Sequence, residues 1–275
     1  MLVDLHSHST CSDGLLAPAE LVERAVLRGV DMLALTDHDE IAGLPEARTA
    51  AARWGLRLVN GVEISVQWEE TTLHIVGLNI DPGFAPLAEG LATIRAGREQ
   101  RARRMADSLA AAGIAGSLEG ARRYAKNPEL VSRSHFARFL VETGHARDTN
   151  AVFRAYLTPG KPGYVPHQWA ALADALRWIN GSGGLAVLAH PGRYPLNQQQ
   201  CERLLEEFVA LGGAAVEVVT GSHTPDEFVI WARYAKRYGL RASAGSDFHG
   251  PGEGYRDVGN VPVLPAGCVP VWSAF

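Results

Sequence analysis

The sequence predicts an α/β fold: a (β/α)7 barrel carrying an inserted helical cap. Three observations lead there. Short apolar runs alternate with amphipathic helical stretches, the pattern of a parallel barrel or a doubly wound sheet. Residues of metal-ligand type stand where the apolar runs stop, which favours the barrel, because a parallel barrel builds its active site at the carboxyl ends of its strands. The alternation then fails over residues 96–165, where only helical signals occur. The division expected is therefore a barrel from residues 1–95 and 166–275, with 96–165 as the cap that contributes substrate-binding groups.

Each element has its own justification. Residues 2–5 are a short apolar strand, and His6 and His8 follow two apart, so both imidazoles leave from one face. Asp13-Gly14 closes a tight loop. Residues 18–28 form an amphipathic helix with Pro18 in its first turn. A second strand runs into Asp37-His38-Asp39, a helix covers 42–54, and a strand over 59–64 carries Glu63. His74 falls early in the next strand. It is rescued from isolation if Glu69-Glu70 turns a hairpin between 62–68 and 71–78. That register pairs Ser65 with His74 and Glu63 with Val76, leaving Glu63 and His74 as diagonal neighbours roughly 7–8 Å apart at the backbone. One long helix is expected over 86–112, closed by Gly113, and a helix over 169–181. The strand leading to His190, the helix 198–211, the strand 214–219, the helix 225–238 and the strand 241–246 before Asp247 and His249 complete the chain.

Nine candidate metal ligands result: His6, His8, Asp13, His38, Glu63, His74, His190, Asp247 and His249. Imidazoles and carboxylates without thiolates suit divalent transition ions, and at three to five ligands each, nine groups serve two or three. Glu63, central in that order, is the expected bridging ligand. Asp37 and Asp39, flanking His38, are expected to orient imidazoles from behind. His223 reads equally as a substrate contact or as a helix-start residue. Clustered cations activate water near neutral pH and take up charge developing on a phosphoryl group. The departing alcohol needs a proton, and Asp13, His38 or a water on a metal are the sources the sequence leaves open.

The strings HSHS, TDHD, GVEIS, the lone histidine of TLHIVG, AHP and SDFH, in this order over residues 1 to 250, resemble the PHP family of metal-dependent phosphoesterases, relatives of the amidohydrolases. The resemblance implies a distorted TIM-like form of the barrel and three metal ions. Within the family, TDHDEIAGLPEA, REQRAR, VSRSHFAR, LTPGKPGYV and AHPGRY look like the branch that removes the 3′-phosphate from nucleoside 3′,5′-bisphosphates. Some members of that branch trim RNA from its 5′ end, so short RNA is a second expected partner beside the nucleotide. Another phosphomonoesterase of the family, such as a histidinol-phosphate phosphatase, is a further alternative. Asp13 stands where several branches carry His; that favours hard ions, Mn²⁺ before Zn²⁺ or Fe²⁺. Amidohydrolases often bridge their metals with a carboxylated lysine, and no lysine lies near these strand ends.

Composition bounds the rest. The chain has 275 residues, 47% apolar and 20% charged, with a net charge of −4, which excludes an overall basic surface for long nucleic acids. No apolar stretch approaches the ~20 residues of a membrane span. Three cysteines without CxxC spacing argue against a disulfide framework, and with a ligand already at position 6 a cytoplasmic location is expected. Arginine is locally dense from Arg95 to Arg104 and again at Arg122, Arg123 and Arg133. A phosphate site needs only a few fixed guanidiniums. Arg98 and Arg101 share a helical face, and with Arg133 and Ser134 they are the candidates for the non-reacting phosphate, Lys161 being a lesser one. Asp13 and His38 stand where they touch the reacting end. A hydrolase of C–N bonds and a non-catalytic ligand-binding module are the remaining alternatives; the arginines suit two phosphates and have no obvious use for a cyclic amide.

Overall fold

In the computed structural model, which describes residues 1–167 and 169–275, seven strands wrap into a nearly closed barrel. They are β1 (Val3–Asp4), β2 (Met32–Leu35), β3 (Arg57–Trp68), β4 (Thr71–Leu78), β6 (Leu185–Leu188), β7 (Ala215–Thr220) and β8 (Arg241–Gly245), neighbours in that order. A two-residue strand, β5 (Ala170–Ala171), pairs with β3 off this path. All neighbours run parallel except β4, which is antiparallel to both β3 and β6. The backbone beyond β1 closes the ring: Leu5 N–H donates to Ala244 O at 3.0 Å and His8 N–H to Phe248 O at 2.9 Å.

The reversed strand follows from its turn. Glu69 takes a positive φ of 47°, and the hairpin that results pairs Ser65 with His74 and Glu63 with Val76. An antiparallel strand presents its amino-terminal part at the rim where its neighbours present their carboxyl ends. His74 therefore stands early in β4 and still reaches the same face as the other histidines.

Alternate residues of six strands, among them Val3, Leu5, Met32, Ala34, Val59, Val76, Val187 and Ala215, fill the barrel with the C-terminal Val271. The outer face of the sheet packs against α1 (Pro18–Leu27), α2 (Leu44–Trp54), α8 (Leu172–Gly181), α9 (Gln198–Ala210) and α10 (Pro225–Arg237). Pro18 and Pro225 begin α1 and α10 where a helix needs no N–H partner.

The expected long helix over 86–112 is two helices, α3 (Ala85–Ala96) and α4 (Arg98–Ala111). They part at Gly97, where a Cβ would lie 2.6 Å from the ring of His167. The first packs on α8 against the barrel. The second joins α5 (Ser117–Arg122), α6 (Arg133–Glu142), α7 (Thr149–Val152) and a π turn (Phe153–Leu157) around a separate hydrophobic cluster of Met105, Leu109, Phe136, Leu140, Val152 and Leu157. The expected helix over 169–181 begins instead with β5, because Ala170 and Ala171 continue the edge of β3. No helix among the described residues is long and apolar enough to cross a membrane.

Candidate metal centre

The ends of β1, β2, β6 and β8, the middle of β3 and the first half of β4 converge on one buried group. His6 and His8, just past β1, are fully buried, and Gly245 in β8 makes room for them: a Cβ there would meet His6 Cβ at 2.4 Å. Gly14 lets the Asp13 loop fold back, since its Cβ would lie 2.4 Å from His8 O. His38, after β2, joins β3 at Glu63 in a parallel bridge. Asp39, His190 and Asp247 all hold positive φ, at 50°, 29° and 55°. Backbone of this kind costs on the order of 1–3 kcal/mol per residue and gathers at functional sites; here it turns chains off the barrel rim so that side chains point to its axis.

Glu63 is the centre. Its Oε2 lies 3.2 Å from His6 Nε2, 3.3 Å from His8 Nε2 and 3.0 Å from His38 Nδ1. Its Oε1 lies 2.9 Å from both His74 Nδ1 and His190 Nε2. Asp247 Oδ1 is 3.3 Å from His8 Nε2, and Asp13 Oδ1 is 3.4 Å from His249 Nε2. Three sets have ligand atoms within 4.8 Å of one another: His8, Asp13, His38 and His249; His6, His8, Glu63 and Asp247; and His38, Glu63 and His74. His190 adds to the last through Glu63. All nine residues expected from the sequence are thus brought together.

The donor set fits cations and little else. His6 Nε2, His8 Nε2, His38 Nδ1, Glu63 Oε2 and Asp13 Oδ1 are buried with no hydrogen-bond partner among the described residues, an arrangement that is costly when left unsatisfied. Lone pairs already point inward. His6 Nδ1 is 2.7 Å from Glu217 Oε1, and His249 Nδ1 is 3.0 Å from the Asp247 carbonyl. Each of these contacts puts the ring proton on Nδ1 and leaves Nε2 free for a metal. Burial works against charge on Glu63, but facing His38, His6 and His74 hold its carboxyl well below the usual range; for Asp13, His38 and His249 do the same.

Guanidiniums line the same pocket. Arg98, Arg101, Arg133, Ser134 and Arg193 share a pocket with Asp13, His38, Glu63, His74, His190, Asp247 and His249. Arg98 and Arg101 both stack on Trp169, at 4.9 and 5.3 Å from its ring. Their standing differs, however. Arg98 is paired with Asp39, and Arg193 with Asp247 at 2.9 Å. Among the described residues no carboxylate pairs with Arg101 or Arg133. Burial, then Arg133 and Arg98, pushes the Arg101 pKa down to about 9, and burial, then Arg193, lowers that of Arg133. These two are cations awaiting an anion.

Several expectations need correcting. Asp37 and Asp39 orient no imidazole. Asp37 accepts from Ser9 N–H, Ser9 Oγ and Ser12 Oγ, pinning the Asp13 loop, and Asp39 accepts from Ser65 and Arg98. The carboxylate behind an imidazole is Glu217, which also accepts from His190 N–H at 2.6 Å. Its only signal was one acid inside the apolar run 214–219. His223 has both ring nitrogens engaged, with Val218 O at 3.1 Å and Gly192 N–H at 2.9 Å, so it braces the loop after β6 and has no ring nitrogen left over. Lys161 is exposed and lies outside the pocket. Arg122 and Arg123 pair on the surface with Glu99 and Glu142. Arg193, Trp169 and Ser132 belong to the pocket and were not picked out, because nothing in their spacing sets them apart.

A barrel whose rim gathers imidazoles and carboxylates around one shared glutamate, faced by unpaired guanidiniums, defines a metal-dependent hydrolase site for anionic substrates. The model of the PHP domain matches residues 4–220, and the chain belongs to the PHP family. It is 57% identical over 270 residues, 98% of this chain and 95% of the other, to a 3′,5′-nucleoside bisphosphate phosphatase of Chromobacterium violaceum. It is 47% identical over 277 residues, 100% of this chain and 94% of the other, to the 5′-3′ exoribonuclease Rnm of Salmonella typhimurium. A solved structure described as an amidohydrolase from Chromobacterium violaceum, with bound sulfate and no metal, superimposes with a TM-score of 0.97 at 55% identity, covering 100% of this chain and 95% of that one.

Proposed function

We propose that this protein is a metal-dependent phosphatase that removes the 3′-phosphate of nucleoside 3′,5′-bisphosphates, giving nucleoside 5′-monophosphate and phosphate. One observation carries the reading: a single pocket is lined both by the carboxylate–imidazole cluster and by Arg101 and Arg133, which pair with no carboxylate among the described residues. A substrate with one phosphate for the cluster and one for the arginines fits it, and a bisphosphate is such a substrate. The 57% identity to a phosphatase of that specificity supports the choice of nucleotide.

The residues divide the work accordingly. His6, His8, Asp13, His38, Glu63, His74, His190, Asp247 and His249 would hold two to three divalent ions, Glu63 shared between them. Such ions supply an activated water and take up charge on the phosphoryl oxygens. Water attacks phosphorus, the bond to the 3′-oxygen breaks, and the nucleoside 3′-alcohol leaves with a proton. Asp13 and His38, which line the pocket, would border the reacting phosphate and are our candidates for moving that proton. Arg101, Arg133 and Ser134 hold the 5′-phosphate, so that binding energy at the far end orients the reacting end. Arg98, engaged by Asp39, holds Trp169 and the start of α4 in place and adds charge to the field. The helical segment 96–165 acts as a cap that brings the phosphate-binding groups to the barrel. The carboxylate-rich donor set favours Mn²⁺, and three free cysteines suit a reducing cytoplasm.

The test is adenosine 3′,5′-bisphosphate with Mn²⁺-loaded protein, followed by phosphorus NMR. The expected products are 5′-AMP and phosphate. Release of 3′-AMP, or hydrolysis of adenosine monophosphates as fast as the bisphosphate, would overturn the reading. A second reading, 5′-to-3′ trimming of short 5′-phosphorylated RNA, is favoured by the 47% identity to an exoribonuclease. The same clamp would hold the 5′-phosphate, with the first internucleotide phosphate on the metals, and mononucleotide release from such RNA distinguishes it.

A further inference from the structure

Ser132 lines the pocket beside both Asp13 and Arg133. It is the N-cap of α6, its Oγ accepting from Ser134 N–H at 3.1 Å, and the same hydroxyl donates to Asp13 Oδ2 at 3.1 Å. Its backbone N–H donates to His135 Nδ1 at 3.0 Å. Burial pushes His135 down to about 4, so the ring is neutral and able to accept. One turn further along, Arg138 donates to the Asp13 carbonyl at 2.6 Å and forms a two-pronged pair with Glu253. Asp13 is thereby gripped at both its carboxylate and its backbone by one helix, leaving only Oδ1 without a partner, 3.4 Å from His249 Nε2. The residues that follow Ser132 directly, Arg133 and Ser134, line the same pocket as Asp13.

We propose that Ser132 is a positioning residue that aims Asp13 Oδ1 at the metal shared with His8, His38 and His249, and that it links retention of this metal to occupation of the phosphate clamp. The inference rests on the proposed metal-centre reading. Its physical basis is that a carboxylate with one oxygen held by a hydroxyl presents the other in a fixed direction. Partners behind a metal ligand of this kind change affinity by about 10–100-fold. The link follows from the shared turn: an anion drawn onto Arg133 and Ser134 seats the start of α6, and that start carries the hydroxyl that sets Asp13. Linkage is reciprocal, so the metal must favour the anion by the same factor as the anion favours the metal.

Mn²⁺ binding to the full-length protein, measured by equilibrium dialysis and elemental analysis with and without 5′-AMP, tests this. Ser132→Gly is the diagnostic change, since glycine caps a helix nearly as well as serine yet has no hydroxyl; Ser132→Thr restores the donor. The wild-type protein should bind its full complement and hold one equivalent more tightly with 5′-AMP. Ser132→Gly, with unchanged circular dichroism, should bind one equivalent about 10–100-fold more weakly and lose the response to 5′-AMP; Ser132→Thr should recover both. Unchanged affinity in Ser132→Gly, or a full 5′-AMP response without the hydroxyl, overturns the inference while leaving the metal centre standing. If the wild-type protein binds no Mn²⁺, the metal-centre reading itself fails.

Discussion

Arg133→Met removes the guanidinium and keeps most of the aliphatic stem. Among the described residues that guanidinium has a contact to Leu157 O at 3.5 Å, at the limit of a hydrogen bond, and the face of Phe153 at 5.6 Å, with Tyr164 and Asp13 as its favourable electrostatic neighbours. Burial first, and then the neighbouring guanidiniums, Arg133 and Arg98 for Arg101 and Arg193 and Arg98 for Arg133, lower both pKa values. The anion left for it to pair with is therefore the substrate. A charge-assisted hydrogen bond contributes about 1.5–3 kcal/mol, which corresponds to a loss of roughly 10–150-fold in kcat/KM on adenosine 3′,5′-bisphosphate. p-Nitrophenyl phosphate has no second phosphate, so its hydrolysis should change by less than about threefold. Relief of like charge adds a second signature: the thermal midpoint of the variant should match or exceed that of the wild type, against the usual sign for losing a partly buried side chain. Steady-state kinetics on both substrates and a thermal melt read all three quantities. Equal losses on the two substrates would refute the clamp, and a lowered midpoint with intact bisphosphate turnover would show Arg133 to be structural.

Two further outcomes follow from the groups behind the ligands. Glu217 accepts from two donors, His6 Nδ1 and His190 N–H; a glutamine has one acceptor oxygen, so Glu217→Gln must lose one of them. Metal affinity against a competing chelator should fall by about 10–100-fold, and an unchanged affinity would show that neither contact orients a ligand. His135 is buried and neutral, with its pKa at about 4 against 6.5 when free. The unfolded chain therefore takes up the proton first, and stability falls as pH drops from about 6.5 towards 4. His135→Asn, which keeps an acceptor for Ser132 N–H, should shrink that fall in the melting midpoint of the metal-free protein; an equal fall in both proteins would remove His135 as a cause.

The cluster of candidate ligands was legible because strand ends are where a barrel places its chemistry, and polar residues stopping apolar runs are conspicuous. His74 is the instructive case. It breaks that rule in position, and the period-2 pairing across a two-residue turn was enough to return it to Glu63, as the register of β3 with β4 bears out. What the sequence hid are contacts made at right angles to periodicity. Gly97 splits a helix whose composition reads as continuous, for the sake of a ring 70 residues away in the chain, that of His167. Arg98 and Arg101 look alike in sequence, three apart on one face, yet Asp39 neutralises the first and nothing described neutralises the second. Asp37 and Asp39 were placed by adjacency to His38, but neighbours along a strand end point away from each other, so adjacency argued against the role rather than for it. Glu217 acts through His6 and His190 from β7, and Ser132 through Asp13 from the edge of α6. A residue of that kind is defined by which side chain lies beyond it, and no spacing in the chain encodes that before the barrel has closed.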